Sequence, residues 1–184
     1  MIRLPVVWAF CLALLALVAA SAADVEYRVK GGYLYNFTKF VEWPANAFSG
    51  PDAPIVIGIL GDDPFGPEFD EAMKGLASQG GRPIKLRRIK RAEDAAGCHI
   101  LFISRSEERR LPEILQHIRA STLTVGECAR FARQGGIIEF VIVDGKVRFV
   151  INVDAERRAG LKISSELKRV AAEIVRGERE ERAP

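Results

Sequence analysis

Three short apolar runs constrain this chain more than anything else in it: "IVIGIL" (residues 55–60), "HILFIS" (99–104) and "LTV" (123–125). None alternates apolar with polar residues, as a strand with one wet face would. Continuous runs of this length read as strands buried on both faces, and such strands belong to parallel sheets covered by helices on each side. The intervening sequence supplies those helices. "GDDPFG" (61–66) is a turn, followed by a helix over Pro67–Ala77. A helix over 106–121 carries Leu111, Ile114, Leu115 and Ile118 on one face, with Pro112 near its first turns. "IKLRRI" (84–89) reads as a half-buried or edge strand. A short helix is predicted over Glu127–Arg133, ended by Gly135 and Gly136.

The pattern then changes. "IIEFVIVDGKVRFVINV" (137–153) is two apolar runs around Asp144-Gly145, the strongest short-range signal for a β-hairpin. From Asp154 the chain is helical, breaks at Gly160 and restarts with Ser164 as N-cap, with Ile163, Leu167, Val170 and Ile174 as its buried stripe. The fold class is therefore α/β: three layers, a mostly parallel sheet closed by an antiparallel C-terminal hairpin, and helices on both faces.

The first residues speak to compartment. Arg3 precedes an almost unbroken apolar run from Val6 to Ala20, and "AASAA" (19–23) follows. This is the plan of a secretory signal, with cleavage expected after Ala22 or Ala23. Fifteen apolar residues as a helix reach about 22 Å, short of a bilayer core of about 30 Å. Cys11 is followed by Leu12 and lies inside the run, which argues against a lipid anchor. The expected organisation is a signal peptide over 1–23, one domain over 24–176 and a charged tail over 177–184. Losing Arg3 takes the formal charge from +3 to +2, and no basic stripe points to nucleic acid. No second run is long enough to span a membrane.

A helix predicted over Asp24–Trp43 is stopped by Pro44. It carries five aromatic residues in "YLYNFTKFVEW" (33–43). On a helical wheel Val29, Phe40, Tyr33, Phe37, Val41 and Leu34 fall within an arc of about 140°, the expected core stripe. Tyr35 falls on the opposite side beside Lys39 and Glu42, and Trp43 lies between the faces. Tyr35 and Trp43 either pack beneath a loop or meet another chain, so Tyr35, Lys39 and Trp43 form the candidate partner surface.

Taken in order, "GGYLYNFTKFVEWP", "IGILGDDPFG", "GRPI", "CHILFIS", "LTVGE", "FARQGGIIEF" and "VRFVINVDAERRAGLKISSELKRVA" resemble the YfiR-like (HmsC-like) family of bacterial periplasmic proteins, over residues 31–173. The resemblance implies an α/β periplasmic fold. It also implies a negative regulator that acts on the periplasmic domain of an inner-membrane diguanylate cyclase, and so on cyclic di-GMP and biofilm formation.

Catalytic motifs give little. There is no G-x-S-x-G elbow, Walker A loop or G-x-G-x-x-G, and His99 and His117 have no metal-ligand spacing. No cofactor and no enzymatic activity are expected. In open parallel sheets ligands sit beyond the carboxyl ends of the strands, which makes Asp62, Asp63, Ser104 and Arg105 the candidate residues for a small polar ligand. A ligand-binding sensor or scavenger is thus the alternative to a protein-binding regulator, and a second copy of the chain remains open as a partner. The resemblance makes a Cys98–Cys128 disulfide tempting, since regulators of this family can depend on paired cysteines. Strand layout argues against it: Cys98 precedes one parallel strand and Cys128 follows another, which separates them by roughly 17–20 Å, whereas a bridge needs Cα atoms within about 7 Å. Both thiols are expected to be free, with Cys98 buried and Cys128 the more available for an intermolecular bridge.

Overall fold

The computed structural model describes residues 23–78 and 80–176. The signal sequence before Ala23, its cleavage point and the charged tail lie outside the described residues. A first helix α1 (23–40) leads into a two-residue strand β1 (Val41–Glu42). Then come β2 (Ile55–Leu60), α2 (Gly66–Met73), β3 (Ile84–Ile89), β4 (Ile100–Ile103), α3 (Leu111–His117), β5 (Leu123–Gly126), β6 (Ile138–Val143) and β7 (Lys146–Asn152). The described residues close with α4 (Val153–Arg158), β8 (Lys162–Ile163), α5 (Ser165–Val170) and β9 (Glu173–Val175).

Seven strands form one sheet in the order β3-β2-β4-β5-β6-β7-β9. The pairs from β3 to β6 are parallel, β6 and β7 are antiparallel, and β9 joins β7 in parallel. The buried runs seen in the sequence occupy the centre, with Ile57 opposite Ile100 and Ile100 opposite Leu123. The hairpin turn uses two left-handed residues, Asp144 (φ 50°) and Gly145 (φ 69°), the geometry whose twist matches the flanking strands.

Both faces are covered. On one side Ile100, Phe102, Leu123 and Val125 pack with Leu34 and Phe37 of α1 and Phe69 of α2. On the other, Leu101 and Ile103 pack with Leu111 and Ile114 of α3 and with Phe131. The mostly parallel, helix-covered sheet closed by a hairpin is the fold class read from the sequence.

Several boundaries differ from the sequence reading, each for a local reason. The first helix stops at Phe40 because Val41–Glu42 pairs antiparallel with Lys162–Ile163, and Ser164 donates its N–H to the Phe40 carbonyl. The second ends at Met73, two residues before Gly75 turns left-handed (φ 71°). Residues Arg105–Arg110 are a 3₁₀ segment, and α-helix begins only at Leu111, with Pro112 in its first turn. No helix forms over 127–133: Arg130 is left-handed (φ 59°), and the Glu139 carboxylate accepts the Arg130 and Ala132 N–H groups. The last helix ends at Val170, and the chain then pairs with β7 as β9, which leaves Val170 and Ile174 exposed instead of buried.

The wheel assigned to α1 is rotated in the structure. Leu34, Phe37 and Val41 are buried as expected, but Val29 is exposed and Tyr33 and Phe40 are half-buried. The arc instead extends past Leu34 to Thr38 and Gly31. Gly31 is there because α2 comes close: a Cβ on it would stand 3.0 Å from the Phe69 ring.

Candidate functional site

The carboxyl ends of β2, β4 and β5 meet beneath the first turns of α1, and polar side chains gather there. The centre is Lys30, which lies within the apolar arc of α1 and is 2% exposed. Its ammonium sits 2.5 Å from Glu127, the residue just after β5, and 2.5 Å from Glu26 one turn earlier. The Tyr27 hydroxyl donates to Glu127 as well (3.2 Å), and the Lys30 ammonium lies 4.6 Å from the Tyr27 ring centre. Burial, with the neighbouring Glu127 carboxylate, pushes the Tyr27 phenol up to about 12, so it stays a hydrogen-bond donor throughout the physiological range.

Arg105 joins this group. Its backbone N–H points at the Glu127 carboxylate and its guanidinium at the Glu127 carbonyl, both at 3.4 Å. The remaining residues predicted as a ligand site hold the loops in shape. Ser104 is buried, and its hydroxyl accepts the Ser106 N–H at 3.5 Å. Asp62 donates its N–H to the Ser106 hydroxyl (2.9 Å). Asp63 accepts from the Phe65 N–H (2.8 Å) and pairs with Arg88 (2.7 Å), which also pairs with Asp70. The Arg88 hydrogen bond holds the Asp70 carboxyl below the usual carboxylate range.

Two cavities flank this cluster. One, of about 340 Å³, lies against Tyr27, Arg28, Pro64, Phe65 and Glu68. The other, of about 460 Å³, is bordered by Lys30, Arg105, Glu108, Glu127 and the outer half of β6. Among the described residues no group of three His, Cys, Asp or Glu side chains is placed to hold a metal ion.

The candidate partner residues sit at the other end of α1. Tyr35 is half-buried: its hydroxyl donates to the Ala77 carbonyl (3.3 Å), and the Lys39 ammonium lies 4.2 Å from its ring centre. Trp43 donates its indole N–H to the His99 carbonyl (3.2 Å) and meets the His99 ring edge-on. His99 opens β4 at the amino edge of the sheet, so the two predicted sites lie on opposite edges and are not brought together. His99 itself is a core residue: it accepts the Val56 N–H, its other ring nitrogen lies 3.2 Å from the Ala47 carbonyl, and burial pulls its pKa down.

Cys98 and Cys128 are unbridged and both buried. Cys98 precedes β4, whereas Cys128 reaches the Ser104 carbonyl beyond that strand's carboxyl end (3.8 Å). They lie on opposite edges, as the strand layout requires. Cys128 is not the more available thiol: it is fully enclosed, and burial beside Glu108 and Glu127 raises it to about 11. Glu127 stands at a strand end that the topology marks, but sequence reasoning passed over its partner Lys30, although a lysine inside an apolar arc signals a buried cation in need of a partner.

The family profile described as YfiR/HmsC-like (DUF4154) matches residues 27–172. The chain belongs to the YfiR/HmsC-like family. No curated protein matches it in sequence. Among solved structures it is similar to an ABC domain from Streptococcus pneumonia in complex with L-Trp, at 12% identity and a TM-score of 0.48, covering 66% of this chain and 55% of that one. The chain thus spans about half the length of that protein. Among the described residues no helix is long and apolar enough to cross a membrane.

Proposed function

We propose that this protein is a periplasmic negative regulator that binds the periplasmic domain of an inner-membrane diguanylate cyclase and so lowers cyclic di-GMP signalling. The observation that carries the reading is the family match over residues 27–172, because a role of this kind is what YfiR-like membership implies. Export by a signal peptide cleaved after Ala22 or Ala23, and a single folded unit over 24–176, belong to the same reading. The site chemistry supports binding over catalysis: Lys30, Glu127 and Asp63 are each committed to a partner within the protein, which leaves none of them free to act on a substrate. Tyr35, Lys39 and Trp43 are one contact surface to test. The direct experiment titrates the purified protein with the cyclase's periplasmic domain and measures cyclic di-GMP and surface attachment after gene deletion. Binding and a rise in both are expected; no binding and no rise would refute the reading.

The cavity beside Tyr27, Arg28 and Phe65 favours a second reading, a sensor for a small polar ligand at the strand ends. Native mass spectrometry of protein isolated from its own periplasm tests it. A co-purified small molecule lost on Arg28→Ala supports the reading, and a bare mass counts against it.

A further inference from the structure

The larger cavity lies where a strand is missing from the sheet. β5 ends at Gly126, opposite Glu139, yet β6 runs on to Val143, held along its other edge by β7. Asn152 donates its N–H to the Ile137 carbonyl (2.8 Å), so the 137/152 pair exchanges hydrogen bonds. The alternation of an antiparallel ladder then assigns 139/150, 141/148 and 143/146 to the same class. Ile138, Phe140 and Ile142 turn their N–H and C=O groups the other way. Ile138 meets Val125 of β5. The register that sets Gly126 opposite Glu139 also gives the Phe140 N–H to the Gly126 carbonyl. The Phe140 carbonyl and the N–H and C=O of Ile142 have no strand beside them and face the cavity of about 460 Å³ that both residues line. Among the described residues no strand continues β5 along this edge.

A bare edge of this kind is a template for an added strand. The unpaired span, from the Phe140 carbonyl through Val143, is about 10 Å long at roughly 3.3 Å per residue. Its surroundings define what would fit. Ile142 is 53% exposed and offers apolar contact. The cavity is bordered by four carboxylates and the two cations Lys30 and Arg105; Glu26 and Glu127 are paired with Lys30 and Glu139 holds the Arg130 and Ala132 N–H groups, which leaves Glu108 as the carboxylate open to a partner. Glu108 is exposed and has no ion pair among the described residues. We propose that this edge binds an extended segment of a partner protein by strand addition beside β6, and that the segment carries basic residues among apolar ones. The choice of a protein partner rests on the regulatory reading above; the unpaired edge does not.

Two variants test it. Proline at 142 deletes an N–H that faces the cavity and not β7, so Ile142→Pro blocks strand addition without removing a ladder bond. Glu108→Lys changes only the charge at an exposed position. The first probe is a nonapeptide of alternating lysine and valine, compared with its glutamate–valine counterpart, with amide hydrogen exchange read at Ile142 in the whole protein. The lysine peptide should slow exchange at the Ile142 amide and the glutamate peptide should not; Ile142→Pro, which has no amide to read there, should lose binding of the lysine peptide as followed by fluorescence anisotropy of a labelled copy. Protection by neither peptide, or by both equally, overturns the proposal. The second probe is the cyclase's periplasmic domain. Each variant should weaken its binding by about tenfold, the scale of one buried hydrogen bond or ion pair. A domain that binds both variants as tightly as the parent overturns the proposal while leaving the regulatory reading intact. A domain that binds nothing refutes the regulatory reading, and the peptide result then decides the edge. A homodimer that Ile142→Pro dissociates would overturn the choice of occupant in favour of a second copy.

Discussion

Replacing Lys30 with methionine tests whether the polar cluster under α1 is a structural keystone. The Lys30 and Glu127 side chains are 3% and 2% exposed, so the pair is out of water. Without the ammonium, Glu127 keeps only the Tyr27 hydroxyl at 3.2 Å and the Arg105 N–H at 3.4 Å. Breaking a buried pair by removing one partner costs roughly 3–5 kcal/mol. Two remaining donors at the long end of hydrogen-bond range place this case near the lower bound, about 3 kcal/mol. For a domain of this size that lowers the melting temperature by about 6–12 °C. Glu127→Gln should cost less, about 1–2 kcal/mol, because the ammonium retains Glu26. In the double variant methionine fills the lysine stem's space and no buried charge is stranded, so its stability should fall within about 1 kcal/mol of the parent. Urea denaturation followed by circular dichroism on all four proteins completes the cycle. The reasoning is refuted if Lys30→Met loses less than about 1 kcal/mol, or if the two single losses simply add in the double variant.

His99 is held neutral by burial, below its ordinary value of 6.5; a base with a depressed folded pKa contributes stability fully above pH 6.5 that is lost as pH falls toward the folded value. Unfolding free energy should therefore drop below pH 6.5 by at most about 1.4 kcal/mol per pH unit for this one proton, and denaturant titrations of His99→Asn should show a shallower slope in that window. Phe37→Ala, at a fully buried position, should cost roughly 3–5 kcal/mol, whereas half-buried Tyr35→Ala should cost no more than about 2 kcal/mol; equal losses in thermal unfolding would contradict the burial assigned to α1. Gly136→Ala would put a Cβ 2.0 Å from the buried Phe131 ring, so its expected cost is about 1–3 kcal/mol of overpacking, and an unchanged denaturation midpoint would show that Phe131 can move aside.

The central strands were legible in the sequence because burial on both faces leaves a continuous apolar signature that neither turn nor helix shares. The hairpin was legible because Asp144-Gly145 supplies the two left-handed residues its turn needs. Boundaries set by partners distant in the chain were not. Nothing local to Val41 shows that Lys162–Ile163 will claim it as a strand. Nothing within 127–133 shows that Glu139 will hold the Arg130 and Ala132 amides. In both cases a tertiary hydrogen bond overrides a reasonable local propensity.

The site was half legible for a related reason. Strand topology placed Ser104, Arg105 and the Asp62-Asp63 turn at the carboxyl ends of the strands, where the structure has them. Which of these groups would be free, however, depends on neighbours supplied by other elements. Asp63 looks available in sequence and is held by Arg88, 25 residues away. Lys30 looks like a solvated helix charge until its wheel position, between Phe37 and Leu34, is taken at face value. An ammonium at that position must either distort the helix–sheet contact or find a carboxylate, and the first residue beyond β5 provides one. The ion pair then fixes the first turns of α1 over the strand ends, with one cavity on either side. A helix anchored in this way also helps to wall the unpaired edge of β6. If strand addition occurs there, breaking the Lys30–Glu127 pair should weaken partner binding, even though Lys30 makes no backbone contact with the added strand.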